Sequence, residues 1–238
     1  GVHYHRCPYD YHSDFVEEIN NMCRSFVHTL YDVESYSGQF DIVHAHDWLA
    51  AHAMVWVKES RHRKAIMTIH STEFGRSGNN FWGGNSEKIR HIEWYGMYVA
   101  DRVISVSRSL QSEVQRIYSV PDSKMNVVYN GVNSSHFDGW VDTMAIKKMY
   151  EIDSYDPMVL FVGRMTYQKG PDILVDSIPN ILKHIPHAKF VFVGDGDMRY
   201  GVEQRARHLG VYHSTRFLGQ VNGWKLIDLF KASDCICV

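Results

Sequence analysis

The chain has 238 residues, 45% of them hydrophobic, so it is long enough to bury two cores of ordinary domain size. Its formal net charge of -2 excludes a bulk attraction to nucleic acid or to an anionic membrane, and no run of about 18 apolar residues predicts a transmembrane helix. The four cysteines include no C-x-x-C pair and are too sparse for a disulfide framework, which indicates a reducing, cytoplasmic location.

Short apolar runs recur along the chain at the usual length of β-strands. Such nearly unbroken runs are typical of a parallel sheet covered on both faces, and helical patterns separate them. One helix is predicted over 172–185, where Pro171 gives a start signal and Pro179 predicts a kink. The alternation predicts a doubly wound α/β fold. The predicted strands are 40–46, 64–70, 101–107, 125–131, 158–164, 189–196 and 234–238.

The segment from Gly131 to Pro157 interrupts this alternation with a Gly-, Asn- and Ser-rich stretch and one short amphipathic helix. We therefore predict a first domain over residues 1–150, with a linker from about residue 131, and a second domain over residues 151–238. The chain starts without Met and stops on an apolar strand. We expect the first domain to be incomplete at its N-terminus and the second to lack its C-terminal part.

A loop with two cations follows the predicted strand 158–164. Arg164 and Lys169 stand between Gly163 and Gly170, directly before the predicted helix. Ligands of doubly wound sheets collect at the carboxyl ends of strands, and cations ahead of a helix N-terminus suit a diphosphate. The spacing is not that of a Walker P-loop. A diphosphate site and a pair of solvated loop charges remain alternatives here.

A second glycine loop, with Gly194 and Gly196, ends the next predicted strand. A dinucleotide fingerprint would need a third glycine where Arg199 stands. The pair is therefore a weak signal by itself, and a plain turn is the simpler explanation. Its position matters more, because it adds a second loop of exposed backbone to the same edge of the same sheet.

Polar side chains stand at the carboxyl ends of two predicted strands in the first domain. They are His44, His46 and Asp47 after one strand, and His70, Ser71, Thr72, Glu73 and Arg76 after the other. Because strand ends meet at one edge of a parallel sheet, these side chains predict a cleft. The chain holds 15 histidines, however, and a single one is more often structural or exposed than catalytic.

Other interpretations of this region stay open. His44 and His46 could be ligands in a zinc-dependent hydrolase built on a barrel. A G-x-S-x-G nucleophile elbow does not occur in the sequence. The loop after Arg76 carries Phe81 and Trp82, whose rings could stack on a sugar or anchor the loop in the core.

Eight motifs occur in a fixed order between about residue 40 and residue 238. They are DIVHAHDWLAA, TIHSTEFGR, ADRVISVSRSL, VVYNGVNSSHF, FVGRMTYQKGPDILVDSIP, FVFVGDGDM, RFLGQV and LFKASDCICV. This series resembles the retaining glycosyltransferases of the GT-B fold, above all family 4 and the glycogen and starch synthases. The resemblance implies two Rossmann-like doubly wound domains that face each other across a cleft, with the acceptor on the first and the nucleotide-sugar donor on the second.

The resemblance also implies a hexosyltransferase that needs no cofactor and no metal. Such an enzyme moves a sugar, glucose in the synthases, from an ADP-, UDP- or GDP-sugar to a glycan or another sugar acceptor. The family motif G-R-x-x-x-x-K-G places the donor diphosphate on Arg164 and Lys169 beside Gly163. The loop of Gly194 and Gly196 matches the family loop near the nucleotide.

In the first domain, the resemblance makes His46 and His70 the candidate catalytic residues, near the transferred sugar or the acceptor. Candidates on the acceptor side are Asp47, Glu73, Arg76 and Trp82.

The chain departs from the family pattern at both ends. The segment GVHYHRCPYD does not supply the family's glycine-rich N-terminal loop, and the E-x(7)-E motif expected after SDCICV is not reached. We therefore expect an internal fragment that is truncated at both ends. A catalytically inactive fragment or a binding module is the alternative to an active enzyme.

Overall fold

The computed structural model describes residues 1–237. The chain forms two compact units, Gly1–Gly131 and Val132–Val238. Both are α/β units built on a parallel sheet, which confirms the predicted fold class. Val238, the last residue of the strand predicted over 234–238, lies outside the described residues. Within 1–237, no helix is both long enough and apolar enough to cross a bilayer, and all four cysteines are free thiols.

The first unit contains a four-stranded sheet in which the strands lie side by side in chain order, β1-β2-β3-β4. Each neighbouring pair is parallel, so each connection is a crossover that carries a helix. The elements are α1 (Phe15–Ser37), β1 (Ile42–His46), α2 (Ala51–Arg61), β2 (Lys64–Ile69), α3 (Glu73–Arg76), α4 (Asn85–Val99), β3 (Arg102–Ser105), α5 (Arg108–Tyr118) and β4 (Met125–Val127).

The core of the first unit lies where α1, α2 and α4 pack beside β2. Gly96 permits the tightest contact there. A Cβ atom at Gly96 would lie 2.9 Å from both the Ala51 Cβ and the Met67 Sδ atoms. The absence of a side chain therefore lets α4 approach α2 and β2 closely, in spite of the cost of glycine in a helix.

The second unit also has a four-stranded parallel sheet, but the order β7-β6-β5-β8 is not the chain order. The chain moves outward from β5 and then returns to place β8 on the other side of β5. The gap between β5 and β8 is thus a topological switch point. The elements are α6 (Thr143–Met149), β5 (Met158–Val162), α7 (Pro171–His184), β6 (Lys189–Val193), α8 (Arg199–His208), β7 (Thr215–Gly219), α9 (Trp224–Ala232) and β8 (Cys235–Cys237).

Residues 132–150, assigned above to the first domain as a linker and short helix, lie with the second unit instead. Ile146 of α6 belongs to the same core cluster as Met158, Leu160 and Leu229. The helix needs a partner for its apolar side, and β5 and α9 supply it. Helix α7 runs through Pro179, although the missing N–H of that residue removes one helical hydrogen bond.

An aspartate directly before a strand fixes the neighbouring strand in both units. In the first unit, the Asp101 N–H donates to the Ala65 carbonyl at 2.8 Å, and its carboxylate accepts from the Ala65 N–H at 2.7 Å. In the second, the same exchange joins Asp234 and Met158, at 2.9 Å and 2.8 Å. The two units therefore use one device to set strand register.

Each of these carboxylates also forms an ion pair with a lysine. The Lys58 ammonium lies 2.9 Å from the Asp101 carboxylate, and the Lys147 ammonium lies 2.9 Å from that of Asp234. The hydrogen bond from Ala65 and the Lys58 charge lower the pKa of Asp101. Burial alone would raise the pKa of Asp234, but the hydrogen bonds from Lys147 and Met158 outweigh it and lower that pKa. Both carboxylates are thus stabilised in their charged form.

We predict that Asp234→Ala lowers the free energy of unfolding of the second unit by about 2 kcal/mol at pH 7, because Lys147 keeps a buried ammonium without its carboxylate partner. A folded-state pKa below the unfolded value stabilises the protein above about pH 4, and that contribution is lost as the pH falls through the folded pKa. The difference between variant and wild type should therefore shrink in acid. Urea unfolding at pH 7 and pH 3 measures it.

Asp153→Ala is the matched control, because Asp153 is an exposed aspartate of the same unit. It should leave the unfolding free energy unchanged at both pH values. A destabilisation by Asp234→Ala that stayed the same from pH 7 to pH 3 would contradict the role of the carboxylate charge.

Candidate functional site

The cationic loop of the second unit connects β5 to α7 at the switch point of the sheet. Gly163 continues the hydrogen bonding of β5, with its N–H donating to the Val193 carbonyl at 3.0 Å. A single 3-10 turn, Tyr167–Lys169, then leads to Gly170, whose φ of 60° favours glycine. Helix α7 starts at Pro171, as the sequence predicted.

Arg164 and Lys169 are both exposed on this loop. Among residues 1–237, neither side chain takes part in an ion pair. The Lys169 stem passes Gly163, since a Cβ atom at Gly163 would lie 3.8 Å from the Lys169 Cγ. The loop therefore holds two positive charges that no described carboxylate neutralises.

Gly194 and Gly196 follow β6 and lie against the backbone of the cationic loop. A Cβ atom at Gly194 would lie 1.9 Å from the Gly163 carbonyl oxygen, and one at Gly196 would lie 2.6 Å from the Met165 carbonyl oxygen. Both glycines also have positive φ, at 131° and 154°. Packing between the two loops therefore requires both glycines, independently of any ligand.

Hydrogen bonds join the same two loops. The Met165 N–H donates to the Asp195 carbonyl at 2.9 Å, and the Met198 N–H donates to the Met165 carbonyl at 3.0 Å. Met165 itself is completely buried. The buried, hydrogen-bonded Met165 therefore fixes the backbone next to Arg164, while the Arg164 side chain is exposed to solvent.

In the first unit, the ends of β1 and β2 bring three histidines together. Residues i and i+2 of a strand line one face, and the rings of His44 and His46 accordingly stack with centroids 4.5 Å apart. His46 also stacks on His70, and its Nδ1 lies 2.9 Å from the His70 Nε2. The predicted meeting of these strand ends is thus present in the structure.

The hydrogen bond between the His46 and His70 rings limits which of their nitrogens carry a proton. A hydrogen bond between two imidazole nitrogens needs one donor and one acceptor, so His46 and His70 cannot both be cationic while it persists. His44 lies 2.7 Å from the Thr68 hydroxyl. Burial, with smaller contributions from the charges of His46 and His70, lowers the pKa of His44 and favours its neutral form.

Asp47 has an unusual backbone conformation for a residue other than glycine, with φ 57° and ψ -177°. Two hydrogen bonds, one to β2 and one from the residue after it, hold Asp47 in place. Its N–H donates to the Thr68 carbonyl at 2.8 Å, and its carboxylate accepts from the His70 N–H at 2.7 Å. Asp47 therefore connects the end of β1 to the end of β2 and fixes His46 relative to His70.

Glu73 and Arg76, which the sequence indicated as acceptor-side candidates, belong to a largely buried ion cluster. Arg76 donates to Glu93 at 2.6 Å and lies 3.3 Å from the Glu73 carboxylate. Glu93 is 1% exposed and also accepts from the Tyr118 hydroxyl. Burial raises the pKa of Glu93, although its hydrogen bonds act in the opposite direction. Burial and the Glu93 charge together raise the pKa of Tyr118.

Sequence reasoning missed Glu93. A signal was present, because Glu93 stands four residues after Ile89 and three before Gly96, on the buried side of α4. A carboxylate at a core position of an amphipathic helix predicts a buried partner.

The aromatic loop residues have different surroundings. Phe81 packs against Phe74 and the core of the first unit, with the Arg90 guanidinium over its ring. Trp82 is 61% exposed, and its indole N–H donates to the Ser77 carbonyl at 2.9 Å. Of the two rings, Trp82 is the one that solvent or a ligand can reach.

The zinc-hydrolase alternative finds no support in these positions. Among residues 1–237, no group of three or more His, Cys, Asp or Glu side chains is placed to hold a metal ion. His44 and His46 point the same way, but their neighbours are Thr68 and another imidazole.

Residues 14–136 match the sequence model of Glycosyltransferase Family 4, and residues 142–238 match that of Glycosyl transferases group 1. The chain belongs to glycosyltransferase family 4. It is 37% identical over 203 residues to an uncharacterized glycosyltransferase of Methanocaldococcus jannaschii, a match that covers 84% of this chain and 52% of that protein. It is 26% identical over 194 residues to a glycogen synthase of Mycobacterium tuberculosis, covering 82% and 45%.

Among solved structures, the chain of this family 4 protein is similar to Anabaena HepE in complex with UDP-glucose. The TM-score is 0.73 at 17% identity, and the match covers 91% of this chain and 56% of that one. The GT-B fold class predicted from the sequence is thereby confirmed. The chain spans about half the length of the curated relatives that it matches.

We predict that Gly194→Ala destabilises the second unit of the glycosyltransferase chain by about 3 kcal/mol or more, because the new Cβ would collide with the Gly163 carbonyl at a positive φ. Gly163→Ala is the matched control. Its Cβ would meet nothing nearer than 3.7 Å, so a change within about 1 kcal/mol is expected. Hydrogen exchange of the β6 amides measures both, and equal protection in the two variants would contradict the packing requirement.

Proposed function

We propose that this chain is the part of a hexosyltransferase that moves glucose from a nucleotide-diphospho-sugar to a glycan acceptor, in the manner of the glycogen and starch synthases. The observation that carries the proposal is the pair of unneutralised cations, Arg164 and Lys169, on the loop at the switch point of the second sheet. Membership of family 4 supplies the reaction class.

The position of the loop favours an anionic ligand. Doubly wound sheets bind ligands outside the carboxyl ends of their strands at the switch point, and β5 borders that point. Helix α7 has 14 residues and starts directly after the loop, so its positive end faces the same region. Two cations and a helix N-terminus together suit a diphosphate better than a single phosphate or a neutral sugar.

The chemistry of transfer explains why fixed cations are needed. When the glycosidic bond of the donor breaks, the departing nucleoside diphosphate gains negative charge. Arg164 and Lys169 would stabilise that charge in place, without a metal ion. Gly163 would let the diphosphate approach the backbone between the Phe161 and Lys169 side chains, which a Cβ atom at this position would touch at 3.7 and 3.8 Å. Gly194 and Gly196 would act indirectly, because they let the loop after β6 pack on the backbone of the cationic loop.

In the first unit, His46 and His70 are the proposed residues at the transferred sugar or the acceptor. Both are exposed, and each keeps a ring nitrogen that the hydrogen bond between them does not use. Those nitrogens can bond to sugar hydroxyls. Trp82 is the proposed stacking surface for an acceptor, whereas Asp47, Glu73 and Arg76 act by supporting the backbone of this region.

The similar proteins guide the proposed substrates. The Anabaena structure contains UDP-glucose, and the Mycobacterium relative is a glycogen synthase, which supports a glucosyl donor and a glucan acceptor. The nucleotide base can be that of an ADP-, UDP- or GDP-sugar.

We predict that Lys169→Ala and Arg164→Ala each weaken binding of a nucleoside diphosphate at least about tenfold, because each removes a charge-assisted contact to phosphate. Isothermal titration with ADP-, UDP- and GDP-glucose on the chain and its variants measures the effect. The loss should grow at low ionic strength, since the contact is exposed and electrostatic.

Lys183→Ala is the matched control for this prediction. Lys183 is an exposed cation at the other end of α7, and its ammonium contacts only Asn180 among the described residues. The control should bind like the wild type. Undiminished binding in Lys169→Ala and Arg164→Ala, with measurable binding in the wild type, would refute the diphosphate role.

A further inference from the structure

We infer that Glu93 is a positioning residue for His70. It acts through the segment 70–73, which joins the end of β2 to the start of α3. Glu93 lies in α4, does not touch either histidine of the proposed site, and is 1% exposed. Its place in catalysis rests on the proposed function, but its effect on the geometry of His70 can be measured without any sugar transfer.

Each residue of the segment 70–73 is tied to a side chain from another position. The His70 N–H donates to the Asp47 carboxylate at 2.7 Å, and the Ser71 carbonyl accepts from Arg76 at 3.0 Å. The Thr72 hydroxyl donates to Glu113, and the Glu73 N–H donates to Glu93. The backbone that carries His70 is therefore specified by side-chain contacts rather than by regular secondary structure.

The short helix that follows cannot hold this segment on its own. Helix α3 has four residues, a single turn, and an isolated turn of helix is unstable. The loop beyond it turns at Gly78 and Asn79, both with positive φ, and the Asn79 N–H donates back to the Phe74 carbonyl of α3 rather than to the segment 70–73. The orientation of the segment must come from the groups underneath it.

Glu93 controls both ends of the Ser71–Glu73 stretch. Its two carboxylate oxygens accept from the Glu73 N–H at 2.9 and 3.0 Å. Oε1 also accepts from Arg76 at 2.6 Å, and Arg76 in turn donates to the Ser71 carbonyl at 3.0 Å and to the Ser71 hydroxyl at 2.9 Å. One buried carboxylate thus fixes residue 73 directly and residue 71 through the guanidinium.

A neutral isostere cannot replace this group. Glu93 accepts hydrogen bonds from the Glu73 N–H, the Arg76 guanidinium and the Tyr118 hydroxyl, and it offers no proton of its own. A glutamine can turn its N–H₂ group to the Tyr118 hydroxyl, which also accepts, but it leaves the Glu73 N–H with one acceptor oxygen instead of two and leaves Arg76 without its full counter-charge. The contacts that weaken are therefore those to residue 73 and to Arg76, which reaches Ser71.

The test uses Glu93→Gln in the full chain, with histidine side chains labelled with ¹⁵N and observed by NMR. We expect the imidazole signals of His46 and His70 to shift or broaden, because the hydrogen bond between these rings depends on the position of residue 70. The signals of His28 in α1 and His52 in α2 should stay in place, which shows that the first unit is folded. Glu87→Gln is the matched control, a glutamate on the same helix with a 57% exposed side chain, and should leave the His46 and His70 signals unchanged.

Should Glu93→Gln not fold, Arg76→Lys decides the question. It keeps a positive charge beside Glu93 but loses the second arm that reaches Ser71, so the same shift of His46 and His70 is expected. Unchanged His46 and His70 signals in a folded Glu93→Gln or Arg76→Lys protein would overturn the inference. Where sugar transfer is measurable, Glu93→Gln should lower kcat at least about tenfold while the KM for the donor stays the same. Absence of transfer in the wild type would count against the proposed function alone, since the spectra decide the positioning role.

Discussion

Parallel strand pairing is the constraint on which both candidate sites depend. In a parallel sheet every strand delivers its carboxyl end to the same edge, and the two sheets of this chain are parallel throughout the described residues. That is why His46 and His70, 24 residues apart, come within hydrogen-bond distance. It is also why the loops after β5 and β6 pack on each other. Asp101 and Asp234 reinforce the constraint, because each fixes a neighbouring strand through a backbone pair.

Glycine has two distinct tasks at the edge of the second sheet. Gly194 and Gly196 are required because the β6 loop lies directly on the carbonyl groups of Gly163 and Met165. Gly163 has no comparable steric reason, since a methyl group would fit there. A Cβ at Gly163 would be in ordinary van der Waals contact with the Phe161 and Lys169 side chains, so the proposed approach of a ligand is the remaining reason for a glycine there. The sequence alone could not separate these tasks, because all three residues look alike in a glycine-rich motif.

Local pattern was enough to predict much of the fold, and the failures have physical causes. The α/β class, the start of α7 at Pro171 and the cationic loop follow from apolar runs, a proline and a pair of glycines. Strand β7 was missed because Thr215–Gly219 includes a charged residue and has only a short apolar run. The 132–150 segment was placed with the first domain because only tertiary packing reveals that Ile146 joins the second core. The acceptor-side assignment of Asp47 and Glu73 stays a prediction, but a sequence does not show that the Asp47 carboxylate accepts from the His70 N–H or that the Glu73 carboxylate accepts from the Ser77 hydroxyl.

Burial separates the proposed ligand contacts of this chain from the residues that support them. Arg164, Lys169, His46 and His70 are exposed, and the two cations have no described carboxylate partner. Glu73 and Glu93 are buried with their hydrogen-bonding capacity occupied by neighbours. A buried carboxylate whose two oxygens already accept hydrogen bonds is poorly placed to bind a substrate, whereas an exposed cation with no counter-charge gains most from an anionic one. The overall charge of -2 is therefore no guide to the proposed anion site, because the two cations of that site are confined to one loop.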